Sequence, residues 1–406
     1  MHLQAKKILI ISLFFAPSNH VGGKRFTFLS TILQKRYPEL HVLTLREKYV
    51  SQKDDSLNFA GIVHRTGMYP SYPIKKNSRL KKVLNRLWND YLCVVDPFSG
   101  WILPALIKGL KVIKNNKIDL IIATGPPFSS MVVGFLLSIM TNNKLIIDYR
   151  DAWTGYRTHY CKLFGKKINQ LCERWSIRRA SALVFCSRIM KEEFISRLGN
   201  YTRASYHVVP NGFHNKDAIQ PLSLGNGRKN IVYAGSLYGE RRVKLLAKPL
   251  FHLLKEGLIT KDTFCLHVFG KVNDQDRDQI MKYGLQDMIE QHPPVPYAQM
   301  LKYLRAADIL FLPSGSDVSY AIPFKFYDYL SVKRPILAVA PKNSAVSEMM
   351  NKIDCGKLAL INSEKSILKE LRTMLSEERE YSFSGAERYT WHETFRKYIE
   401  VIDAVS

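Results

Sequence analysis

At 406 residues the chain is too long for one ordinary domain and long enough for two, and its 46% hydrophobic content, with no low-complexity tract or internal repeat, excludes a disordered, fibrous or solenoid chain. The net charge of +25 is uneven: residues 1–200 carry 32 Lys and Arg against 12 Asp and Glu, and residues 201–406 carry 28 against 23. A positive field of that kind draws polyanions, either nucleic acid or the anionic face of a membrane.

The chain starts with Lys6 and Lys7 before the apolar run Ile8-Leu-Ile-Ile-Ser-Leu-Phe-Phe15, which imitates a signal peptide. The run is short and no small-residue cleavage site follows, so a first buried strand over 7–14 is expected instead. Further short apolar or β-branched runs at 41–45, 61–65, 119–124, 144–150, 182–187 and 206–210 alternate with helical patterns, the signature of a parallel sheet. The longest other apolar stretch, 131–140, is shorter than the ~20 residues that span a bilayer, so no spanning segment is expected.

Between the first strand and the first helix lies Ala16-Pro-Ser-Asn-His-Val-Gly22-Gly23-Lys24-Arg25. Two glycines at such a turn let backbone N–H groups approach an anion, with Lys24 and Arg25 adding charge, although a plain tight turn fits the residues as well. Over 75–91, Leu80, Val83, Leu84, Leu87, Trp88 and Tyr91 form one apolar helical stripe, and the other face carries Lys75, Lys76, Arg79, Lys81, Lys82 and Arg86. That pattern suits a helix lying in a membrane interface, with these cations and Trp88 as the contacts; an ordinary packed helix with a wet basic face is the rival. Asp148-Tyr-Arg150-Asp151-Ala-Trp153 then gathers charged and aromatic groups at a strand carboxyl end, where α/β sheets keep their chemistry, or holds a structural Arg–Asp pair.

Residues 1–210 are read as a first domain, the turn-rich 211–229 as a linker with Asn211-Gly212 as a possible hinge, and 230–388 as a second domain. Its strands are expected at 230–236, 263–270, 308–313, 335–340 and 357–361, and a closing helix at 389–405 can pack back on the first domain. In Tyr233-Ala-Gly235-Ser236-Leu-Tyr-Gly-Glu-Arg241-Arg242-Val-Lys244, small residues end a strand and three cations follow within one helical turn. Cations there oppose the helix macrodipole, which favours a bound diphosphate over a solvated basic turn. Ser314 to Leu330 joins a buried strand to a helix in which Lys325 can face phosphate and Asp328 can accept from ribose hydroxyls; a loop with a capped helix is the plainer reading. The six cysteines form no CxxC pair and no metal spacing, which suits a reducing compartment.

In their order these segments resemble the family 4 glycosyltransferases of bacterial cell-surface polysaccharide synthesis, which build capsule and lipopolysaccharide. The matching pieces are Phe14-Phe-Ala-Pro17 with Gly22-Gly23, Ala123-Thr-Gly-Pro-Pro-Phe-Ser129, Asp148 to Trp153, Val208-Val-Pro-Asn-Gly-Phe213, Tyr233 to Tyr238, and Pro323-Phe-Lys-Phe-Tyr-Asp-Tyr-Leu330. The resemblance implies an α/β fold of GT-B type, two doubly wound Rossmann-like domains facing across a cleft. It also implies retaining hexosyl transfer from a UDP- or GDP-type nucleotide-diphosphate sugar, with no tightly bound cofactor and no metal. The positions matching the family's donor site are Gly235, Ser236, Arg241, Arg242, Lys244, Tyr297, Ser319, Tyr320, Ala321, Lys325 and Asp328, with Gly22 and Gly23 reaching the diphosphate. Arg150 and Asp151 match the acceptor side, next to the transferred sugar. The family often has two glutamates separated by seven residues; here Tyr320 and Asp328 stand there. Support of the transition state then falls to another group, such as the leaving diphosphate held by Arg241, Arg242 and Lys325.

The expected partners are the nucleotide sugar, a lipid-linked glycan acceptor and the anionic inner surface of the cytoplasmic membrane, with the protein cytoplasmic and peripheral. Nucleic acid is not an expected partner, since no recognised module accompanies the charge. The alternatives are a basic nucleic-acid binder and a sugar epimerase or phosphorylase of the same fold.

Overall fold

The computed structural model describes residues 6–50, 53–54, 57–69, 95–154, 165–215, 219–225, 227–235 and 242–405. The basic helix expected over 75–91 lies outside them, with Lys75, Lys76, Arg79, Lys81, Lys82, Arg86 and Trp88, as do Ser236 and Arg241. The chain divides into two compact units, 1–210 with 391–406, and 211–390.

The first unit is built on seven parallel strands: β1 (Ile8–Ile11), β2 (Leu40–Leu45), β3 (Ile62–Thr66), β4 (Leu120–Gly125), β5 (Lys144–Tyr149), β6 (Ala182–Phe185) and β7 (Ser205–Val208). Their order is β3-β2-β1-β4-β5-β6-β7, so the winding reverses between β1 and β4. Every residue of β1, β2 and β4 is buried, which is why β1 and β4 read as near-continuous apolar runs rather than alternating ones. Helices α1 (Val21–Arg36), α2 (Ile102–Asn116), α3 (Ser129–Thr141), α4 (Gly165–Arg179) and α5 (Arg188–Leu198) connect them.

The second unit has six parallel strands, β8 (Lys229–Ala234), β9 (Phe264–Phe269), β10 (Ile289–His292), β11 (Ile309–Pro313), β12 (Ile336–Ala340) and β13 (Gly356–Leu360), in the order β10-β9-β8-β11-β12-β13. The reversal again falls beside the first strand, between β8 and β11. One face packs Val232, Leu310 and Ala338 against helices α8 (Tyr297–Ala306), α9 (Phe324–Val332) and α10 (Ala345–Lys352). The other packs Ile231, Val268, Phe311 and Leu337 against α6 (Lys244–Lys255), α7 (Asp274–Lys282) and α11 (Glu364–Ser376). Strand β10 is not among the expected strands: Ile289-Glu-Gln-His has no apolar run because it is a half-exposed edge. Residues 211–229 belong to this unit, with Phe213 and Leu224 in its core.

The last helix, α12 (Trp391–Ala404), belongs to the first unit and lies on α1. Trp391 and Phe28 pack with ring centroids 5.4 Å apart, and the Tyr37 hydroxyl donates to Asp403 Oδ1 at 2.7 Å.

Arg25, expected to add charge to the glycine turn, faces the interior instead. It is fully buried, its Nη2 donating to Asp148 at 3.1 Å and to the Val209 carbonyl at 2.9 Å, and its Nη1 to the Pro210 carbonyl at 2.8 Å. Burial, the largest single influence, opposes its charge, but Asp148 together with Cys186 and Tyr398 more than offsets it and holds the guanidinium above its ordinary pKa. This pair joins α1, β5 and the chain leaving β7. Arg25→Ala strands a buried carboxylate and should lower the unfolding free energy by about 3–5 kcal/mol, read from urea unfolding. A loss within the ~1 kcal/mol of an exposed pair would refute that role.

Candidate functional site

In open parallel sheets ligands bind outside the strand carboxyl ends where the winding reverses. In the first unit that point is the β1 and β4 exits, where Gly22, Gly23 and Arg150 come together. The Arg150 backbone N–H donates to the Gly125 carbonyl at 2.9 Å and its Nε to Thr124 Oγ1 at 3.0 Å. Its guanidinium then lies over Gly22, so closely that a Cβ at Gly22 would sit 1.9 Å from Nη1. At Gly23 a Cβ would be 3.2 Å from the Phe14 backbone, so this glycine lets the helix start approach the strand exit. Burial lowers the Arg150 pKa, an effect countered by Asp148 and Asp151. Of the two carboxylates, Asp148 is engaged by Arg25 and Thr124, while Asp151 is half-buried beside Arg150.

The sequence reading missed two groups here. His20 caps α1, its Nδ1 accepting from the Gly22 N–H at 3.1 Å and its ring stacked on Phe14 at 4.1 Å. Burial, then the charge of Arg150, lowers its pKa to about 4, so the ring is neutral at pH 7 and Nδ1 stays an acceptor. Its place just before the two glycines is the signal that could have found it. Asp96 is buried and receives the Ser129 N–H at 2.7 Å and the Phe98 N–H at 2.8 Å, anchoring the start of α3; no motif marks it. A cavity of about 250 Å³ opens beside the β1 exit, lined by Phe15, Pro17, Leu57, Phe59 and Arg65 among others.

In the second unit the reversal lies at the β8 and β11 exits, where Gly235 and Lys325 meet. Gly235 has φ +117°, open to glycine and strained for other residues, and a Cβ there would sit 2.7 Å from Lys325 Nζ. Lys325 Nζ donates to the Tyr233 hydroxyl at 2.7 Å and lies 4.2 Å from that ring's centroid, so the strand exit fixes the ammonium above Gly235. On the same helix Asp328 Oδ1 accepts from the Tyr297 hydroxyl at 2.5 Å. Ser314, just after β11, is fully buried, and its Oγ has no hydrogen-bond partner among the described residues.

The other expected donor positions are arranged differently. Arg242 Nη1 lies 3.7 Å from the buried carboxylate of Asp276, which also accepts the Lys244 N–H at 3.2 Å. Asp276 therefore supplies an internal counter-ion where the sequence favoured a bound diphosphate over a solvated basic turn. The Lys244 side chain is exposed. The Ser319 carbonyl accepts from the Ala345 N–H at 2.7 Å, the Ala321 N–H donates to the Val318 carbonyl at 2.9 Å, and Tyr320 is buried. A cavity of about 590 Å³ lies away from the reversal, lined by Leu222, Asn230, Arg305 and Arg334 among others.

Residues 27–215 match Glycosyltransferase Family 4, and residues 215–388 match Glycosyl transferases group 1. The chain belongs to the family 4 glycosyltransferases. This glycosyltransferase shares its two-domain GT-B fold with solved structures at low identity. Anabaena HepE in complex with UDP is 14% identical, with TM-score 0.64 over 98% of this chain and 100% of that one. Sucrose-phosphate synthase from Thermosynechococcus elongatus is 13% identical, with TM-score 0.68 over 98% and 99%. The lipopolysaccharide outer core galactosyltransferase WaaB in its apo form is 15% identical, with TM-score 0.63 over 98% and 99%. No curated protein sequence matches the chain.

The His20 cap makes stability depend on pH. Its folded pKa of about 4 lies below the ordinary 6.5, so the unfolded chain takes up the proton first. Its contribution is intact above pH 6.5 and lost as pH falls from there through about 4. In His20→Asn, which keeps a capping acceptor and removes the titration, the urea midpoint should fall less steeply across that window than in the parent. Parallel curves would show that His20 is not the titrating group.

Proposed function

We propose that this glycosyltransferase moves a hexose, with retention, from a UDP- or GDP-type nucleotide-diphosphate sugar to a lipid-linked oligosaccharide or polysaccharide at the inner face of the cytoplasmic membrane. The product would be a cell-surface glycan of the capsule or lipopolysaccharide kind. The observation that carries the donor assignment is the Lys325 ammonium held over side-chain-free Gly235 at the winding reversal. A diphosphate placed there meets a fixed cation, and Ser236, Arg241, Arg242 and Lys244 follow directly in the chain. Asp328, oriented by Tyr297, accepts from the ribose hydroxyls, and the Ser319-Tyr320-Ala321 turn backs the donor. With cations offsetting the diphosphate charge, no metal is required there.

Arg150 and Asp151 serve the sugar and acceptor. Tyr320 is buried and offers no carboxylate, so retention follows from attack on the face that the diphosphate leaves. The acceptor oxygen bonds to C1 as the C1–O bond to the diphosphate breaks, and the acceptor proton passes to the departing diphosphate oxygen. The UDP bound to HepE supports the nucleotide class, and the lipopolysaccharide role of WaaB supports the acceptor class.

Among the described residues no helix is long and apolar enough to cross a membrane. Support for membrane contact comes from the first unit, where α2, α3 and α4 pack side by side and expose Leu103, Ile107, Met140 and Trp175. Lys111, Lys114, Lys166 and Lys167 are exposed on the same helices.

Thermal melting with UDP, GDP, TDP and CMP sugars tests the donor. A UDP or GDP sugar should raise Tm, Lys325→Ala should remove the rise, and NMR of the product should show the anomeric configuration of the donor. A rise that survives Lys325→Ala overturns the donor site, and an inverted product overturns retention. The chain should also float with vesicles containing phosphatidylglycerol, less so as salt rises, and not with phosphatidylcholine alone. Failure to float with either removes the membrane from the proposal.

A further inference from the structure

Cys265 and His267 stand two residues apart on β9, and Glu290 and His292 two apart on β10. Side chains two apart on a strand share a face, and the parallel register sets Glu290 beside His267 and His292 beside Phe269. The two short patterns Cys-x-His and Glu-x-His, more than twenty residues apart in sequence, thus converge on one face of the sheet edge. A search for paired cysteines passes over them, because the set has one sulfur, two imidazoles and a carboxylate.

His267 Nδ1 lies 2.9 Å from His292 Nε2 and 3.6 Å from Glu290 Oε2, and His292 Nε2 lies 3.9 Å from the same oxygen. The ligand atoms of Cys265, His267 and Glu290 all fall within 4.8 Å of one another. Ligands bound at about 2.0–2.3 Å to a tetrahedral ion are themselves about 3.3–3.6 Å apart, so these groups need only small adjustments to enclose one.

The surroundings orient the set. Asn230 Nδ2 donates to the Arg228 carbonyl at 2.8 Å, which turns Asn230 Oδ1 toward His267 Nε2 at 2.9 Å. Nε2 therefore carries the proton and Nδ1 presents its lone pair to the cluster, the arrangement by which a metal-binding histidine is held. Arg228 engages Glu290 through Oε1 at 2.6 Å and leaves Oε2 facing the histidines. Cys265 and His267 are buried, whereas Glu290 and His292 are half-exposed and leave an entry path.

We propose that Cys265, His267, Glu290 and His292 form a structural site for one divalent zinc-type ion that clamps the edge strand β10 to β9. Sulfur, imidazole and carboxylate ligands together suit zinc over magnesium or calcium, which take oxygen ligands. On binding, the thiol proton leaves to solvent as the metal–sulfur bond forms, and His292 gives up its Nε2 proton to solvent while Nδ1 takes one up, so that Nε2 is free to bind the ion. Cys265 and His267 lie in the body of β9, before its exit, and the ion is assigned to stabilising the unit with no part in transfer.

The full chain, dialysed against a chelator, is titrated with Zn²⁺ and separately with Co²⁺. One ion per chain should bind, Zn²⁺ should raise Tm, and Co²⁺ should show tetrahedral d–d bands with a thiolate charge-transfer band. Cys265→Ser should lose the charge-transfer band. His292→Ala, on the half-exposed edge where folding is least at risk, should weaken binding more than tenfold, and Asn230→Ala by about 10–100-fold. Absence of saturable binding by the parent, or unchanged affinity and spectrum in His292→Ala, overturns the proposal. Neither result bears on the donor assignment, which rests on Lys325 and Gly235.

Discussion

Both sheets are parallel and covered on both faces, and the other features of each unit follow from that burial. A strand with no solvated face is mostly apolar and takes a polar residue only where a partner satisfies it, so groups that face a ligand gather at its ends. Of the two ends, the carboxyl ends beside a winding reversal leave the widest gap between crossover connections, because the helices on either side run to opposite faces. In each unit the reversal sits next to the first strand, and in each it is marked by a glycine under a cation: Gly22 under Arg150, and Gly235 under Lys325. The pairs use glycine for different reasons. Gly22 makes room for a guanidinium, while Gly235 both makes room for an ammonium and takes a left-handed backbone that its strand exit requires.

The charge excess reads differently once partners are assigned. Cations at helix starts conflict with the macrodipole, and a ligand is one way to resolve the conflict. The structure shows two internal ways. Arg25 turns inward onto Asp148, 123 residues away in sequence, and Arg242 turns onto Asp276 from the neighbouring α7. Lys325 donates to a neutral phenol, Tyr233, which positions the ammonium without cancelling its charge.

The fold was largely legible because buried parallel strands announce themselves as unbroken runs such as Ile8-Leu-Ile-Ile and Leu120-Ile-Ile-Ala. The strand that escaped, β10, is an edge with polar residues, where neither run nor alternation survives. Among site residues, Gly22, Arg150, Gly235, Lys325 and Asp328 were named because short motifs at strand exits carry them. His20 and Asp96 act through caps and long-range hydrogen bonds, and Arg25 through a pair that only the tertiary fold brings together. Sequence spacing reports which element a side chain belongs to; it does not report which way a helix turns it.

The same distinction explains why the edge of the second sheet could hold an ion site that no motif declares. Within a strand, Cys265 and His267 form an unremarkable pair, and so do Glu290 and His292. Only the register of two parallel strands, joined through α7, makes them one face, and the Asn230 amide on the third strand then fixes which imidazole nitrogen looks inward. An edge strand as short and polar as β10 buries little apolar surface of its own, so side-chain links to β9 carry a larger share of its attachment than in the central strands. The polar groups of the second unit thus fall in two places set by topology: at the strand exits beside the reversal, where the proposed donor site lies, and at the sheet edge, where the proposed ion site lies.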